Sequence, residues 1–289
     1  MPIFNPLQFA LRRHLSMTPN PAPAPIRPSA SLLLLSPTNR LLLLKRNTHL
    51  SFASAHVFPG GVVQPSDGGS ARLCALRETF EETGILLTSS APPASAGPLA
   101  EIQRRVHSGE LDFGAWVDAW GGQLLPDSEL TPFTTWITPA GAGGKKRYSS
   151  QLFLARLPPW VDESAVVPGD GGREVVGAPR WMLPAEALRL ATEGAVTLFP
   201  PQFYLLWQVE RHLRIGGEQA LVDWARAMGE KVFEPRKEGV TEEGWWVMGL
   251  GPRGDAEVVV VMEVLGKGLE PRAVEVMERT AMKERLAKL

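Results

Sequence analysis

Glu78, Glu81 and Glu82 fall within five positions of the stretch RETFEETGI, residues 77–85. On a helix turning about 100° per residue, Glu82 lies roughly 40° and Glu81 roughly −60° from Glu78, so the three carboxylates share one face. Leu73, Leu76 and Phe80 gather on the opposite side, the pattern of a helix packed on a core. Arg77 stands four residues before Glu81, within ion-pair reach. Like charges at this spacing repel by about a few tenths of a kcal/mol per pair, so the crowding gives the helix no stability. Two readings remain open. One is a solvated acidic face; the other is a site for a hard divalent cation such as Mg²⁺, which takes one or two carboxylates and completes its shell with water and substrate phosphates.

The surrounding elements bear on that choice. SLLLLSPTNRLLLLKRN reads as two strands, 31–36 and 40–46, joined by a short turn. HVFPGGVV is a strand running into a Pro-Gly-Gly loop, and the acidic helix runs from Ser70 to Thr83 with Gly84 at its end. TSSAPPASAGP, 88–98, is a surface loop, and a helical pattern follows over 99–119. TPFTTWITP and RYSSQLFLARL are strands separated by the basic turn AGAGGKKR, and VVGAPRWML is a further short strand. Pro184 and Pro201 open two helices. Beyond about residue 215 come a helix, a strand pair within GWWVMGLGPRGDAEVVVVMEVLG and a charged terminal helix. Alternating strands and helices with mixed connections define an α/β layered domain with a smaller C-terminal appendage. The expected divisions are a flexible arm over 1–29, the main domain over 30–215 and the extension over 216–289.

The 289 residues are 44% hydrophobic and 21% charged, enough to bury a sizeable core. A net charge of −1 gives no global footprint for nucleic acid. The single cysteine, Cys74, excludes an internal disulfide and a thiolate zinc site, and is read as a packing residue. LLLLSPTNRLLLL is broken by Pro-Thr-Asn, so no membrane span is expected. The chain ends in Ala-Lys-Leu, similar to the Ser-Lys-Leu tripeptide recognised by the peroxisomal import receptor, and the expected location is the peroxisome. The N-terminal thirty residues are basic and lack any acid, the composition of a mitochondrial transit segment or of a floppy Pro/Ala arm in a cytoplasmic protein.

Arg77, Glu78, Glu81, Glu82, Gly84 and Ile85 resemble in register the box of the Nudix hydrolases, which reads Gly, five residues, Glu, seven residues, then Arg-Glu-U-x-Glu-Glu-x-Gly-U with U apolar. Thr79 occupies a place where an apolar residue is usual. From Gly61 five residues lead to Asp67 in the Glu place, and nine rather than seven separate it from Arg77, so Asp67 receives no role. AHVFPGG, WITP, FLARLP, EVVGAPRW and PPQFY resemble the peroxisomal coenzyme A diphosphatases of that family. Of three positions that mark coenzyme A recognition in relatives, only Lys45 keeps its charge; Leu50 and Ser54 depart from the pattern.

The resemblance implies a Nudix α/β/α sandwich with a mixed sheet and a small C-terminal α+β extension. It implies hydrolysis of a nucleoside diphosphate derivative with Mg²⁺ or Mn²⁺, coenzyme A being the first substrate expected. ADP-ribose, NADH or a dinucleoside polyphosphate are alternatives, and a non-catalytic binding protein is a third reading. Glu78 and Glu82 are the implied metal ligands, with Glu81 binding a further ion or orienting water, and Arg77 holding a carboxylate in place. Gly60 and Gly61 let the backbone approach metal and phosphate. Glu174 is the implied candidate base. Lys145, Lys146 and Arg147 are candidates for an extra substrate phosphate, or for a solvated turn. Aromatic residues of PPQFYLLWQVERH are expected in the core, with capping of an adenine as the alternative.

Overall fold

The computed structural model describes residues 25–47, 54–139, 146–166, 175, 177–251, 253–264 and 271–282. Lys145, Glu174, the segment before Pro25 and the terminal Ala-Lys-Leu lie outside the described residues. No described helix is long and apolar enough to cross a membrane.

Strands β1 (Ile26–Leu35) and β2 (Leu41–Lys45) form the expected hairpin, turned through Asn39 at φ 60°. Next come β3 (His56–Val57), β4 (Gly60–Val62) and α1 (Ala71–Thr83). The helical pattern over 99–119 divides at Gly109 into α2 (Leu99–His107) and α3 (Phe113–Ala119). Then follow β5 (Leu130–Ile137), β6 (Arg147–Arg156), β7 (Arg180–Met182), α4 (Pro184–Thr192) and α5 (Pro200–Met228). Helix α5 is broken at Gly216 and Gly217, where φ of 66° at Gly217 suits a residue without Cβ. The chain closes with β8 (Val232–Phe233), β9 (Arg236–Val240), β10 (Trp246–Gly249), β11 (Val258–Val264) and β12 (Pro271–Glu278).

Eight strands make one mixed sheet, with β3, β2, β1, β6, β5 and β8 in spatial order, β4 beside β1 and β7 beside β2. The Leu-rich β1 is apolar on both sides because both faces are covered. Leu32 and Leu34 enter the core beneath α1, α2 and α3, while Leu33 and Leu35 enter the core beneath α4 and α5. This is the α/β/α sandwich that the resemblance implies.

Two boundaries differ from expectation. β1 begins at Ile26, inside the segment read as a flexible arm, because parallel pairing with β6 runs from Ile26 opposite Arg147 to Leu35 opposite Arg156 and supplies backbone partners. Pro271–Glu278 is a further strand between the expected strand pair and the charged terminal stretch. Val274 and Val276 recur at period two toward the core, and β11 pairs with the whole segment. Helix follows at 279–282, where the described residues end.

Nor do the residues after 215 stand apart from the sandwich. β8 extends the main sheet by parallel pairing with β5, and Phe233 stacks on Trp136 with centroids 4.5 Å apart. Strands β9 to β12 form a second sheet, whose Met248, Val260 and Met262 share one core with Leu33, Leu41 and Phe203.

Candidate active site

Helix α1 is fixed at both ends by local chemistry. Ser70 caps it by accepting the Leu73 N–H at 3.1 Å, and Gly84 ends it at φ 70°. Leu76 and Phe80 anchor its apolar side among Leu32, Leu34, Phe113 and Trp116. Thr79 is fully buried and donates to the Ala75 carbonyl at 2.7 Å, so its hydroxyl is satisfied within the helix despite its apolar setting.

The acidic side is not solvated. Glu78, Glu81 and Glu82 are 8%, 4% and 6% exposed, which removes the reading of an ordinary charged surface face. Glu78 and Glu82 lie against β4 instead. Glu82 Oε2 accepts the Gly60 N–H at 2.9 Å. A Cβ on Gly61 would stand 2.4 Å from the Glu78 carboxyl carbon, and one on Gly60 would stand 2.3 Å from the Ala30 carbonyl oxygen. The two glycines therefore let β4 pass between β1 and the carboxylates.

Arg77 is the counter-charge of the cluster. Its Nε and Nη2 donate to Asp67 at 2.8 and 2.9 Å, Nη1 donates to Glu81 Oε1 at 2.7 Å, and Nη2 lies 3.0 Å from Glu78 Oε1. Burial works against its charge, but Asp67, Glu78 and Glu81 outweigh that and hold the guanidinium protonated above its usual range. Arg77 is only 3% exposed, its guanidinium turned to these acids.

Sequence reasoning left Asp67 without a role because its spacing from Arg77 is two residues too long. A one-turn helix at Pro65–Asp67 followed by Gly68 and Gly69, at φ 59° and 80°, takes up that length and returns the carboxylate to Arg77. Two further contacts carried no sequence signal. Gln103 Nε2 donates to the Glu81 carbonyl at 3.1 Å, and His107 Nδ1 lies 3.2 Å from Glu81 Oε2.

Not every candidate joins this cluster. Arg147 donates to the Thr138 carbonyl at 2.9 Å and to Glu234 at 3.1 Å, tying β6 to the chain beyond β8. Lys146 is exposed. Val175, beside Glu174, is buried and bridges to Arg46. Burial and the neighbouring Glu78 push the Cys74 thiol above its ordinary range, which favours the neutral thiol. Phe203 and Tyr204 of α5 are buried, as core residues.

Asp67, Glu78 and Glu81 are three buried carboxylates on one guanidinium, and Glu82 is buried on the same helix against the Gly60 N–H. Carboxylate oxygens are the donor type that a hard cation takes. Among the described residues no three His, Cys, Asp or Glu side chains stand gathered as a complete metal site. Mg²⁺ does not require one, because water and substrate phosphates supply most of its shell.

Residues 69–209 match the family model described as the NUDT19 Nudix domain. The acyl-coenzyme A diphosphatase NUDT19 of Gallus gallus is 29% identical over 235 residues, covering 57% of this chain and 60% of the relative. A putative nudix hydrolase 7 of Caenorhabditis elegans is 31% identical over 192 residues, covering 64% of this chain and 61% of the relative. The chain thus spans about three-fifths of the length of these relatives. Among solved structures, a NUDIX hydrolase from Alicyclobacillus acidocaldarius has the same fold, with a TM-score of 0.54 at 22% identity over 65% of this chain and 92% of that one. Residues 69–209 are thus similar to the Nudix domain of the NUDT19 type, within a chain whose relatives are Nudix hydrolases.

Proposed function

We propose that the protein is a metal-dependent diphosphatase that cleaves coenzyme A or acyl-coenzyme A, giving adenosine 3′,5′-bisphosphate and 4′-phosphopantetheine or its acyl form. The observation that carries this reading is the buried acid cluster of α1 held against Gly60 and Gly61. A scaffold that only bound a partner would gain nothing from keeping mutually repelling carboxylates out of water. The choice of substrate follows the chicken relative, named an acyl-coenzyme A diphosphatase.

In this reading Glu78 and Glu82 hold Mg²⁺ or Mn²⁺. A bound divalent cation would neutralise the diphosphate oxygens and acidify the attacking water. Gly60 fixes Glu82 through its N–H, Arg77 fixes Glu81, and Glu81 orients the water. Water oxygen bonds to one phosphorus while the bridging P–O bond breaks, and the two phosphates leave on separate products. Glu174 remains the proposed acceptor of the water proton.

The test is incubation with coenzyme A, an acyl-coenzyme A and ADP-ribose in the presence of Mg²⁺, with products identified by mass. The two coenzyme A products are expected, and chelation of the metal should abolish them. Intact coenzyme A at high protein concentration, alongside AMP and ribose 5-phosphate from ADP-ribose, would sink the assigned substrate.

A further inference from the structure

We propose that His107 is a positioning residue for Glu81, holding the carboxylate oxygen that Arg77 leaves unheld. The inference rests on the metal-dependent reading above and assigns a part to a residue outside the Nudix motif. An ionised carboxylate only accepts hydrogen bonds, so the 3.2 Å approach of His107 Nδ1 to Glu81 Oε2 is made by an imidazole N–H. Arg77 Nη1 grips the other oxygen, Oε1, at 2.7 Å. With a donor on each oxygen, the plane of the Glu81 carboxylate is set, and each oxygen keeps a lone pair for water or metal.

Helix α2 is built to deliver this contact. Ile102 and Val106, four apart, are buried in the core beneath α1. Gln103 and His107, also four apart, form the adjacent stripe and meet Glu81 at two points, its backbone carbonyl and its carboxylate. Gln103 is 2% exposed and fixes the register between the helices, so His107 arrives opposite Oε2 on a packed element. The His107 side chain keeps 24% of its accessibility, which places the imidazole between the cluster and solvent. An imidazole N–H suits this place because Arg or Lys would bring a permanent charge that competes with a cation.

The experiment compares wild type with His107→Ala and His107→Asn, since the Asn amide can present a donor near the Nδ1 position. Mn²⁺ affinity is measured by the electron paramagnetic resonance signal of free Mn²⁺, kcat and KM with coenzyme A, and stability by thermal melting. His107→Ala should weaken Mn²⁺ binding and lower kcat by about tenfold or more, with KM within about twofold of wild type. His107→Asn should restore most of both. If His107→Ala melts early, His107→Leu takes its place, filling the space without a donor. Equal Mn²⁺ binding and turnover in wild type and the Ala or Leu variant overturns the inference, as does a folded Asn variant no better than Ala. Wild-type protein that binds no Mn²⁺ overturns the metal-dependent reading, and this inference with it.

Discussion

Glu82 and Arg77 sit in the same buried cluster yet should fail in different ways when changed. Glu82 is held by a backbone N–H, so Glu82→Gln keeps the shape and removes one charge. Hydrolysis should fall by about 10² or more, with melting little changed. Turnover at the wild-type rate by the folded variant would remove Glu82 from the metal site. Arg77→Met instead removes the counter-charge from Asp67, Glu78 and Glu81, three carboxylates that the guanidinium reaches within 3.0 Å. Breaking a buried ionic group from one side costs about 3–5 kcal/mol, so this variant should melt on the order of 10 °C lower. An unchanged melting curve would show that the acids find other partners, and the central place given to Arg77 would be wrong.

Strand β3 carries a different liability. His56 is 6% exposed and its Nδ1 has no hydrogen-bond partner among the described residues, while its backbone N–H is taken by the Thr197 carbonyl. Burial, with Arg180 and Lys45 adding repulsion, lowers its pKa from 6.5 to about 4. Below pH 6.5 the unfolded chain therefore takes up a proton that the folded chain refuses. Stability is full above pH 6.5 and is lost progressively as pH falls toward 4. Urea titrations across that range should show a shallower decline for His56→Gln, which takes no proton. Parallel curves for the two proteins would refute the account. The comparison is needed because the carboxylates also titrate in acid and contribute to both curves.

The C-terminal residues are expected to be indispensable to folding rather than an optional addition. Removing 216–289 takes away β8, Leu221, Phe233, Met248 and Val260. It uncovers Trp136 and the core face that carries Leu33 and Leu41, whose apolar area no longer leaves water. The fragment 1–215 should be insoluble, or soluble without the near-ultraviolet circular dichroism of fixed aromatic side chains. A cooperative melt at the full-length temperature would show instead that the sandwich folds without these residues.

Much of this was legible in the chain. The caps of α1, its apolar stripe and the β1–β2 hairpin follow from signals within a few residues of each other, where helix period and turn chemistry act, whereas Gly60 and Gly61, read as a loop, form a strand on β1. Spacing put the three glutamates on one face, but could not separate a solvated face from a site, because burial depends on β4 arriving from elsewhere in the sheet. The strand character of Pro271–Glu278 was carried only by a weak two-residue period that pairing with β11 made decisive. Asp67 and His107 were illegible for a related reason. One reaches Arg77 through a left-handed Gly-Gly turn and the other reaches Glu81 from a helix 26 positions along the chain. Local sequence determined which elements form and where they end. Which side chains meet across those elements was decided by sheet order and helix register, since these alone bring distant polar groups within hydrogen-bonding distance.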